Sequence, residues 1–121
     1  MKKMAFHLGL LSKQTKVLKD FYRRLLGKDP SFEDSEDYLE FKVSDLAILD
    51  IENRKLLEDL QEYKPNKFYL RFEVKNVNET FKKCQENKLK ILRGPVVQPY
   101  GKIEMYILDP DSNLIQLFQT I

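Results

Sequence analysis

The sequence predicts an α+β fold built from two similar halves. The segments MAFHLGLL and KFYLRFEV both alternate apolar with other residues, and they do so in the same phase. Each is followed by an amphipathic helical pattern and then by further alternating runs. The length of 121 residues and a hydrophobic fraction of 42% are enough for one core. We predict a single domain over the whole chain, with a first module at 1–52, a linker at 53–65 and a second module at 66–121.

The first half begins with MAFHLGLL, which is predicted to form a half-buried strand. Ser12 is placed to cap a helix, and Gly27 supplies a left-handed exit from it. The apolar stripe of this helix consists of Val17, Leu18, Phe21 and Leu25. YLEFKV and LAILDI follow as two alternating runs separated by Ser44-Asp45, a pattern typical of a hairpin.

The second half repeats this plan. KFYLRFEV is followed by NVNETFKKCQENK, a helix in which Asn76 and Glu79 have capping-box spacing. The runs ILRGPVV, KIEMYIL and NLIQLF are predicted strands, separated by turn-forming clusters of Gly, Pro, Asp and Ser. The buried face of the second helix consists of Val77, Phe81 and Cys84. Between the halves, NRKLLEDLQEYKPN predicts a short linker helix through Leu56, Leu57 and Leu60.

Alternation assigns the strand side chains to two faces. One face is predicted to meet the helices and form the core; it consists of Phe6, Leu8, Leu10, Ala47, Leu49, Ile51, Phe68, Leu70, Phe72, Ile115 and Leu117. The opposite face mixes polar and apolar groups; it consists of His7, Gly9, Ile48, Asp50, Glu52, Tyr69, Arg71, Glu73, Leu114, Gln116 and Phe118. We predict that the mixed face lines a concave ligand cleft on a curled sheet. The alternative is a face that simply meets water or a partner.

Composition narrows the classes of partner and the compartment. The 21 basic and 19 acidic residues nearly cancel and are spread along the chain, so no nucleic-acid partner is expected. Cys84 is the single cysteine, which excludes an intramolecular disulfide and favours a cytoplasmic setting. The N-terminal apolar run is too short for a membrane span and has no small-residue cleavage site. We therefore expect no membrane partner.

Two segments of the chain resemble the vicinal oxygen chelate superfamily, which includes glyoxalase I, extradiol dioxygenases, fosfomycin-resistance enzymes and bleomycin-resistance binding proteins. They are FHLGLL with FYRRLLG beginning fourteen residues after His7, and the closing PYGKIEMYILDPDSNLIQLF. Ser112 replaces the glycine usual in the closing turn. The resemblance implies two tandem βαβββ modules whose curled mixed sheet has a concave ligand face, and it implies a homodimer.

In metal-dependent members of this superfamily, the first and last strands of each module carry the ligands. The matching residues here are His7, Asp50, Tyr69 and Gln116. They would make a poor metal cage, because the Tyr69 phenol must first lose a proton and Gln116 offers a neutral carbonyl. We expect no bound metal and no other cofactor.

We predict that a small organic molecule contacts seven residues: His7, Asp50, Tyr69, Arg71, Tyr100, Gln116 and Phe118. A purely structural alternative stays open for each of them. His7 would then hydrogen-bond within the sheet, and Asp50 would pair with Arg71 or Lys42.

Tyr69 and Phe118 would be packing aromatics in the structural alternative, and Gln116 would satisfy a neighbouring backbone group. Tyr100 would belong to a flexible surface loop. Tyr38 and Glu40 join the polar face if Leu39, Phe41 and Val43 turn toward the core. Cys84 is expected to be an inert, buried hydrophobe.

The leading hypothesis from sequence is a metal-independent small-molecule-binding protein, similar to the bleomycin-resistance branch. Acidic residues outnumber basic ones on the mixed face, so a neutral or cationic ligand is expected. The alternative is a glyoxalase I-like lyase or isomerase with an incomplete metal site. A third hypothesis is a structural or interaction module whose cleft is filled by its own side chains.

Overall fold

The computed structural model describes residues 5–53, 55 and 68–121. The chain divides into two compact units, Met1–Lys64 and Pro65–Ile121. Within these described residues, each unit has one α-helix and a four-stranded mixed sheet, so the predicted α+β class and the repeat of βαβββ modules are confirmed. The linker helix predicted through Leu56, Leu57 and Leu60 lies outside the described residues. None of the described helices has both the length and the apolar character needed to cross a membrane.

The first unit contains five elements in the described residues. They are β1 (Phe6–Ser12), α1 (Thr15–Leu26), β2 (Phe32–Asp34), β3 (Tyr38–Ser44) and β4 (Ala47–Asn53). Sheet 1 has the order β1-β4-β3-β2, with β1 parallel to β4 and the other neighbours antiparallel. The predicted β3–β4 hairpin is confirmed. The short strand β2 had no alternating run long enough to predict it.

The second unit has the same topology. Its elements are β5 (Leu70–Glu73), α2 (Val77–Glu86), β6 (Lys90–Gln98), β7 (Lys102–Leu108) and β8 (Leu114–Thr120). Sheet 2 has the order β5-β8-β7-β6, with β5 parallel to β8. The β6 strand continues through Gly94-Pro95, with register shifts on both sides of Arg93. An edge strand tolerates a proline, because the backbone N–H that proline lacks would point away from the sheet and would have no neighbouring strand to bond.

Of the eleven residues predicted for the core face, five are buried, four are half-buried (Leu8, Leu10, Ala47 and Phe72) and two phenylalanines are exposed. Leu49, Ile51, Leu70, Ile115 and Leu117 are all buried. Phe6 and Phe68, in contrast, are 67% and 77% exposed. Phe6 is the first residue of the edge strand β1, whereas α1 packs mainly on β4 and β3. Phe68 precedes β5, so the pairing that would order its side chain begins two residues later.

Two of the three predicted helix caps, Gly27 and Asn76, are confirmed, and the third is wrong. Gly27 takes a left-handed conformation (φ 68°), and its N–H donates to the carbonyl of Arg23. Asn76 caps α2 by accepting from the N–H of Glu79 at 3.1 Å. The cap predicted at Ser12 is wrong: Ser12 ends β1 and accepts from the N–H of Gln14, which is the N-cap of α1. Val17, predicted for the apolar stripe, is 47% exposed, whereas Leu18, Phe21 and Tyr22 are buried.

The turn before β8 keeps its shape without a glycine. Ser112 has φ 64°, a conformation that glycine adopts more easily. The Asp109 carboxylate accepts from the N–H groups of Asp111 and Asn113 at 2.9 and 2.8 Å. It also accepts from the Asn113 side chain at 2.7 Å. These bonds hold the Asx-type turn that aligns β7 with β8.

Candidate functional site

In the first unit, His7 and Asp50 lie together on the face of sheet 1 opposite the core. His7 is on β1 and Asp50 on β4, and the parallel pairing of these strands brings them within reach. His7 Nδ1 lies 3.0 Å from both carboxylate oxygens of Asp50. The Asp50 side chain is 10% exposed, whereas that of His7 is 42% exposed. The arrangement is a partly exposed imidazole hydrogen-bonded to a buried carboxylate.

Glu40 joins this pair from the neighbouring strand. It lies on β3 directly opposite Asp50, and it accepts a hydrogen bond from the Tyr38 hydroxyl at 2.5 Å. Burial, followed by that hydrogen bond, raises the pKa of Tyr38. Ligand atoms of His7, Glu40 and Asp50 all lie within 4.8 Å of one another. One imidazole and two carboxylates are ligands that borderline divalent cations accept, so these residues fit a metal ion.

In the second unit, Gln116 lies at the centre of a chain of hydrogen bonds. It is 2% exposed. Its Oε1 accepts from Arg71 Nε at 2.5 Å, and its Nε2 donates to the Tyr106 hydroxyl at 2.8 Å. Arg71 is on β5 and Tyr106 on β7, the two strands that flank β8. The glutamine is therefore a bridge between two neighbouring strands.

Charged and aromatic groups surround this bridge. The guanidinium carbon of Arg71 lies 4.5 Å from the centre of the Phe118 ring. Arg71 Nη2 is 4.0 Å from Oε2 of Glu104, a carboxylate that is only 2% exposed. Tyr100 donates its hydroxyl to Glu104 at 2.7 Å, and this bond raises the pKa of Tyr100 to about 12. The buried carboxylate is thus compensated by one hydroxyl and one nearby cation.

The structure brings the predicted site residues together in two groups. His7 and Asp50 form one group, and Arg71, Gln116 and Phe118 form the other. Tyr100 reaches the second group through Glu104. Tyr69 lies just before β5 and is 47% exposed, so it is not on the strand that was expected to carry it.

Sequence reasoning did not select Glu40, Glu104 or Tyr106 as site residues. The sequence assigns Glu40 to the polar face but gives it no ligand contact. Lys42, an alternative ion-pair partner of Asp50 in the sequence analysis, pairs with Asp45 at 3.5 Å. Glu40 lies opposite Asp50 only because the register shifts between Lys42 and Ser44; a uniform count from the Ser44–Ala47 pair would set Phe41 there, so the sequence alone does not reveal this contact. Cys84 is buried, and burial raises the pKa of its thiol, in keeping with an inert side chain.

Comparison with known proteins identifies the family. The glyoxalase-like domain family matches residues 6–121, nearly the whole chain. The chain belongs to that family. Both groups of polar residues therefore lie within one glyoxalase-like domain sequence.

Solved structures of glyoxalase-like proteins share this fold. A glyoxalase/bleomycin resistance protein/dioxygenase family enzyme from Burkholderia phytofirmans PsJN matches with a TM-score of 0.80 and 15% identity, over 95% of this chain and 97% of that one. A superfamily member from Sphaerobacter thermophilus matches with a TM-score of 0.78 and 18% identity, over 98% of both chains. At such identities the likeness shows the fold alone.

One curated relative is much longer than this glyoxalase-like chain. The E3 SUMO-protein ligase RanBP2 of Homo sapiens is 30% identical in an 89-residue alignment that covers 66% of this chain. The chain spans only 3% of that protein's length.

The metal set implied by the superfamily fits the glyoxalase-like chain only in its first half. His7 and Asp50 offer an imidazole and a carboxylate, and Glu40 adds a second carboxylate. Gln116 offers no charge, and its carbonyl oxygen already accepts from a guanidinium. A divalent cation near Gln116 would be repelled by Arg71 and would have to displace its hydrogen bond.

Proposed function

We propose that this glyoxalase-like protein binds a small organic molecule without a metal ion. The observation that carries the proposal is the buried bridge Arg71–Gln116–Tyr106. At the position where the superfamily resemblance implies a metal ligand, the chain has a neutral amide bonded to a cation. Such a group recognises ligands by hydrogen bonding and shape rather than by coordination.

The proposed ligand-contacting residues on the second unit are Arg71, Gln116, Phe118, Tyr69 and Tyr100. Arg71 and Phe118 combine a charge with an aromatic ring, and Arg71 is 42% exposed on its side chain. On the first unit, His7 and Asp50 supply an imidazole that can donate or accept. The proposal also includes a single domain over residues 1–121, acting in the cytoplasm as a homodimer.

A thermal-shift screen of small organic molecules, followed by a displacement assay, tests this proposal on the full chain. We expect saturable binding of at least one compound, weakened by Gln116→Ala and by Tyr69→Ala. The matched control is Gln85→Ala, because Gln85 is an exposed residue of α2 on the other side of sheet 2. The proposal is wrong if no compound saturates and the site variants change only stability; an interaction module would then be favoured.

A metal-dependent glyoxalase-like lyase or isomerase is the second candidate, and the His7–Glu40–Asp50 cluster favours it. His7, Glu40 and Asp50 would hold a metal ion there, and the ion would supply Lewis-acid chemistry while the two carboxylates balance its charge. Elemental analysis after mild purification decides between the candidates. Near-stoichiometric Ni, Zn or Mn that is lost together with lyase or isomerase activity in Asp50→Ala, but not in Asp45→Ala, would establish this second function. Asp45 is a matched control because its side chain is 95% exposed in the β3–β4 turn.

A further inference from the structure

One row of side chains crosses all four strands of sheet 2. Arg71 on β5 lies beside Gln116 on β8, which lies beside Tyr106 on β7, which lies beside Arg93 on β6. The row therefore begins and ends with arginine, and it has a neutral amide and a phenol between them. We name these four residues the arginine-bounded row.

The hydrogen bonds of this row fix the direction of each donor. Arg71 Nε can only donate, so the Gln116 atom facing it must be the carbonyl oxygen Oε1. The amide nitrogen Nε2 of Gln116 then faces Tyr106 and donates to its hydroxyl oxygen. The Tyr106 hydroxyl is thereby an acceptor in this bond, and its own hydrogen is left for another partner. Within residues 5–53, 55 and 68–121, no acceptor takes that hydrogen.

The terminal nitrogens of Arg71 are also available. Arg71 Nη2 is 4.0 Å from Glu104 Oε2, which is beyond hydrogen-bonding distance. The guanidinium lies over the Phe118 ring, a placement that restricts its rotamers, and among the described residues none accepts a hydrogen bond from its terminal N–H groups. Tyr106 is covered in the same way by Arg93, whose guanidinium carbon lies 4.7 Å from the ring centre.

The charge near the row is net positive. Arg71, Arg93 and Lys102 carry the positive charges, and Lys102 Nζ lies 5.4 Å from the centre of the Phe118 ring. The negative charges are Glu104, which accepts from Tyr100, and Glu73, which accepts from Thr120. Both carboxylates are therefore already engaged, whereas Tyr106 and the ends of Arg71 still have hydrogens to donate.

We infer that the arginine-bounded row binds the carboxylate group of a small organic ligand. Tyr106 O–H and the terminal N–H groups of Arg71 donate to the carboxylate oxygens, and Arg93 contributes positive potential. This inference rests on the proposed small-molecule function and names the class of ligand. It replaces the neutral or cationic ligand expected from sequence, because three of the four acidic residues on the mixed face, Glu40, Asp50 and Glu52, belong to the first unit, and only Glu73 belongs to the second.

Three probes of nearly identical shape test the charge preference: benzoate, benzamide and benzamidine. Each is titrated in the millimolar range into the ¹⁵N-labelled full chain, and the side-chain amide resonances of Gln116 report binding beside Tyr106. We expect benzoate to saturate these shifts with an affinity about tenfold higher than that of benzamide, since charge-assisted hydrogen bonds are roughly twice as strong as neutral ones. Benzamidine is expected to leave the Gln116 resonances unchanged.

Tyr106→Phe removes only the hydroxyl and keeps the ring under Arg93. It is expected to weaken benzoate binding about tenfold, the usual effect of losing a hydrogen bond to a charged group. Tyr38→Phe is the matched control in the first unit, and it should leave benzoate affinity unchanged. If Tyr106→Phe perturbs the fold, Arg93→Gln replaces it, because Arg93 is exposed; a loss of about threefold is expected there.

The inference is overturned if benzamide or benzamidine shifts Gln116 at least as strongly as benzoate, an outcome that leaves the small-molecule function standing. It is also overturned if folded Tyr106→Phe binds benzoate as well as the parent protein does. If none of the three probes moves Gln116, the carboxylate site is wrong. The broader screen with Gln116→Ala and Tyr69→Ala then judges the small-molecule function separately.

Discussion

The two units have the same strand order, but corresponding positions in their sheets carry opposite chemistry. In the first unit, Asp50 on the last strand lies between Gly9 and Glu40. In the second unit, Gln116 on the last strand lies between Arg71 and Tyr106. A carboxylate pair in one sheet is therefore replaced by an amide, a phenol and a guanidinium in the other.

The covered faces of the two sheets have not diverged in this way. Leu49 and Ile51 flank Asp50 along β4, and Ile115 and Leu117 flank Gln116 along β8; all four are buried. Packing density restricts the side chains that fit beneath a helix, whereas hydrogen bonding on the other face can be satisfied by many residue types. The difference teaches that the two units share the apolar pattern beneath their helices while the polar residues on the other face differ.

The largest expected effect tests the similarity of the covered faces. Leu49→Ala and Ile115→Ala remove matching buried side chains from β4 and β8, which are 3% and 0% exposed. Each should lower the free energy of unfolding by about 2 to 5 kcal/mol, since a cavity adds to the lost burial. Urea denaturation monitored by circular dichroism measures the loss. A loss below about 1 kcal/mol in only one unit would show that the two cores are not equivalent.

The polar bridge of the second unit is expected to matter less. Gln116→Leu removes the hydrogen bonds to Arg71 and Tyr106 and should cost about 1 to 3 kcal/mol of unfolding free energy. Gln119→Leu is a useful comparison, because Gln119 is on the same strand and accepts one bond, from the Val77 N–H. Similar losses of unfolding free energy in both variants would mean that the bridge of Gln116 stabilises the fold no more than the single hydrogen bond of Gln119.

A tyrosine bonded to a glutamate occurs in both units, but the cause of its altered acidity differs. Burial is the first cause of the raised pKa of Tyr38, whereas the bond to Glu104 is the first cause for Tyr100. Glu104→Gln should therefore return the pKa of Tyr100 from about 12 toward its ordinary value of 10. Glu40→Gln should leave the pKa of Tyr38 well above that value. Absorbance at the phenolate band during alkaline titration distinguishes the two.

The sign of the pH effect follows from these shifts. Because the pKa of Tyr100 is higher in the folded chain, its neutral hydroxyl favours folding below pH 10, and this contribution disappears as the pH rises through about 12. Tyr100→Phe should remove one late-titrating phenol from the alkaline titration curve. The bond to Glu104 would be contradicted if the phenol lost from the curve titrated near pH 10 instead of near 12.

Alternation predicted most of the fold because it reports directly on burial. The phase of KFYLRFEV against MAFHLGLL revealed the repeat, and the capping residues Asn76 and Gly27 fixed two helix ends. Alternation failed at Phe6 and Phe68, since a phase gives the face of a residue but not whether a helix extends over it. The three residues of β2 are too few to show any period.

The candidate site was only partly predictable for a different reason. His7, Asp50 and Gln116 were found through the superfamily resemblance and their shared face. Tyr106 was missed because its role depends on the register of β7 with β8, which a single sequence does not reveal. The concentration of carboxylates on sheet 1 and of arginines on sheet 2 was missed for a similar reason, because the charge count added the residues of both sheets together.

The smallest expected effect concerns the two helix ends. Gly27 ends α1 at φ 68°, and Lys88 has φ 56° in the corresponding place after α2. A Cβ added at Gly27 would meet nothing within 4 Å, so Gly27→Ala should cost about 1 kcal/mol through the backbone conformation alone. Lys88→Gly relieves that same strain and should raise the free energy of unfolding by up to about 1 kcal/mol. Thermal denaturation measures both changes, and a Lys88→Gly variant less stable than the parent would show that the lysine compensates for its strain through contacts of its own.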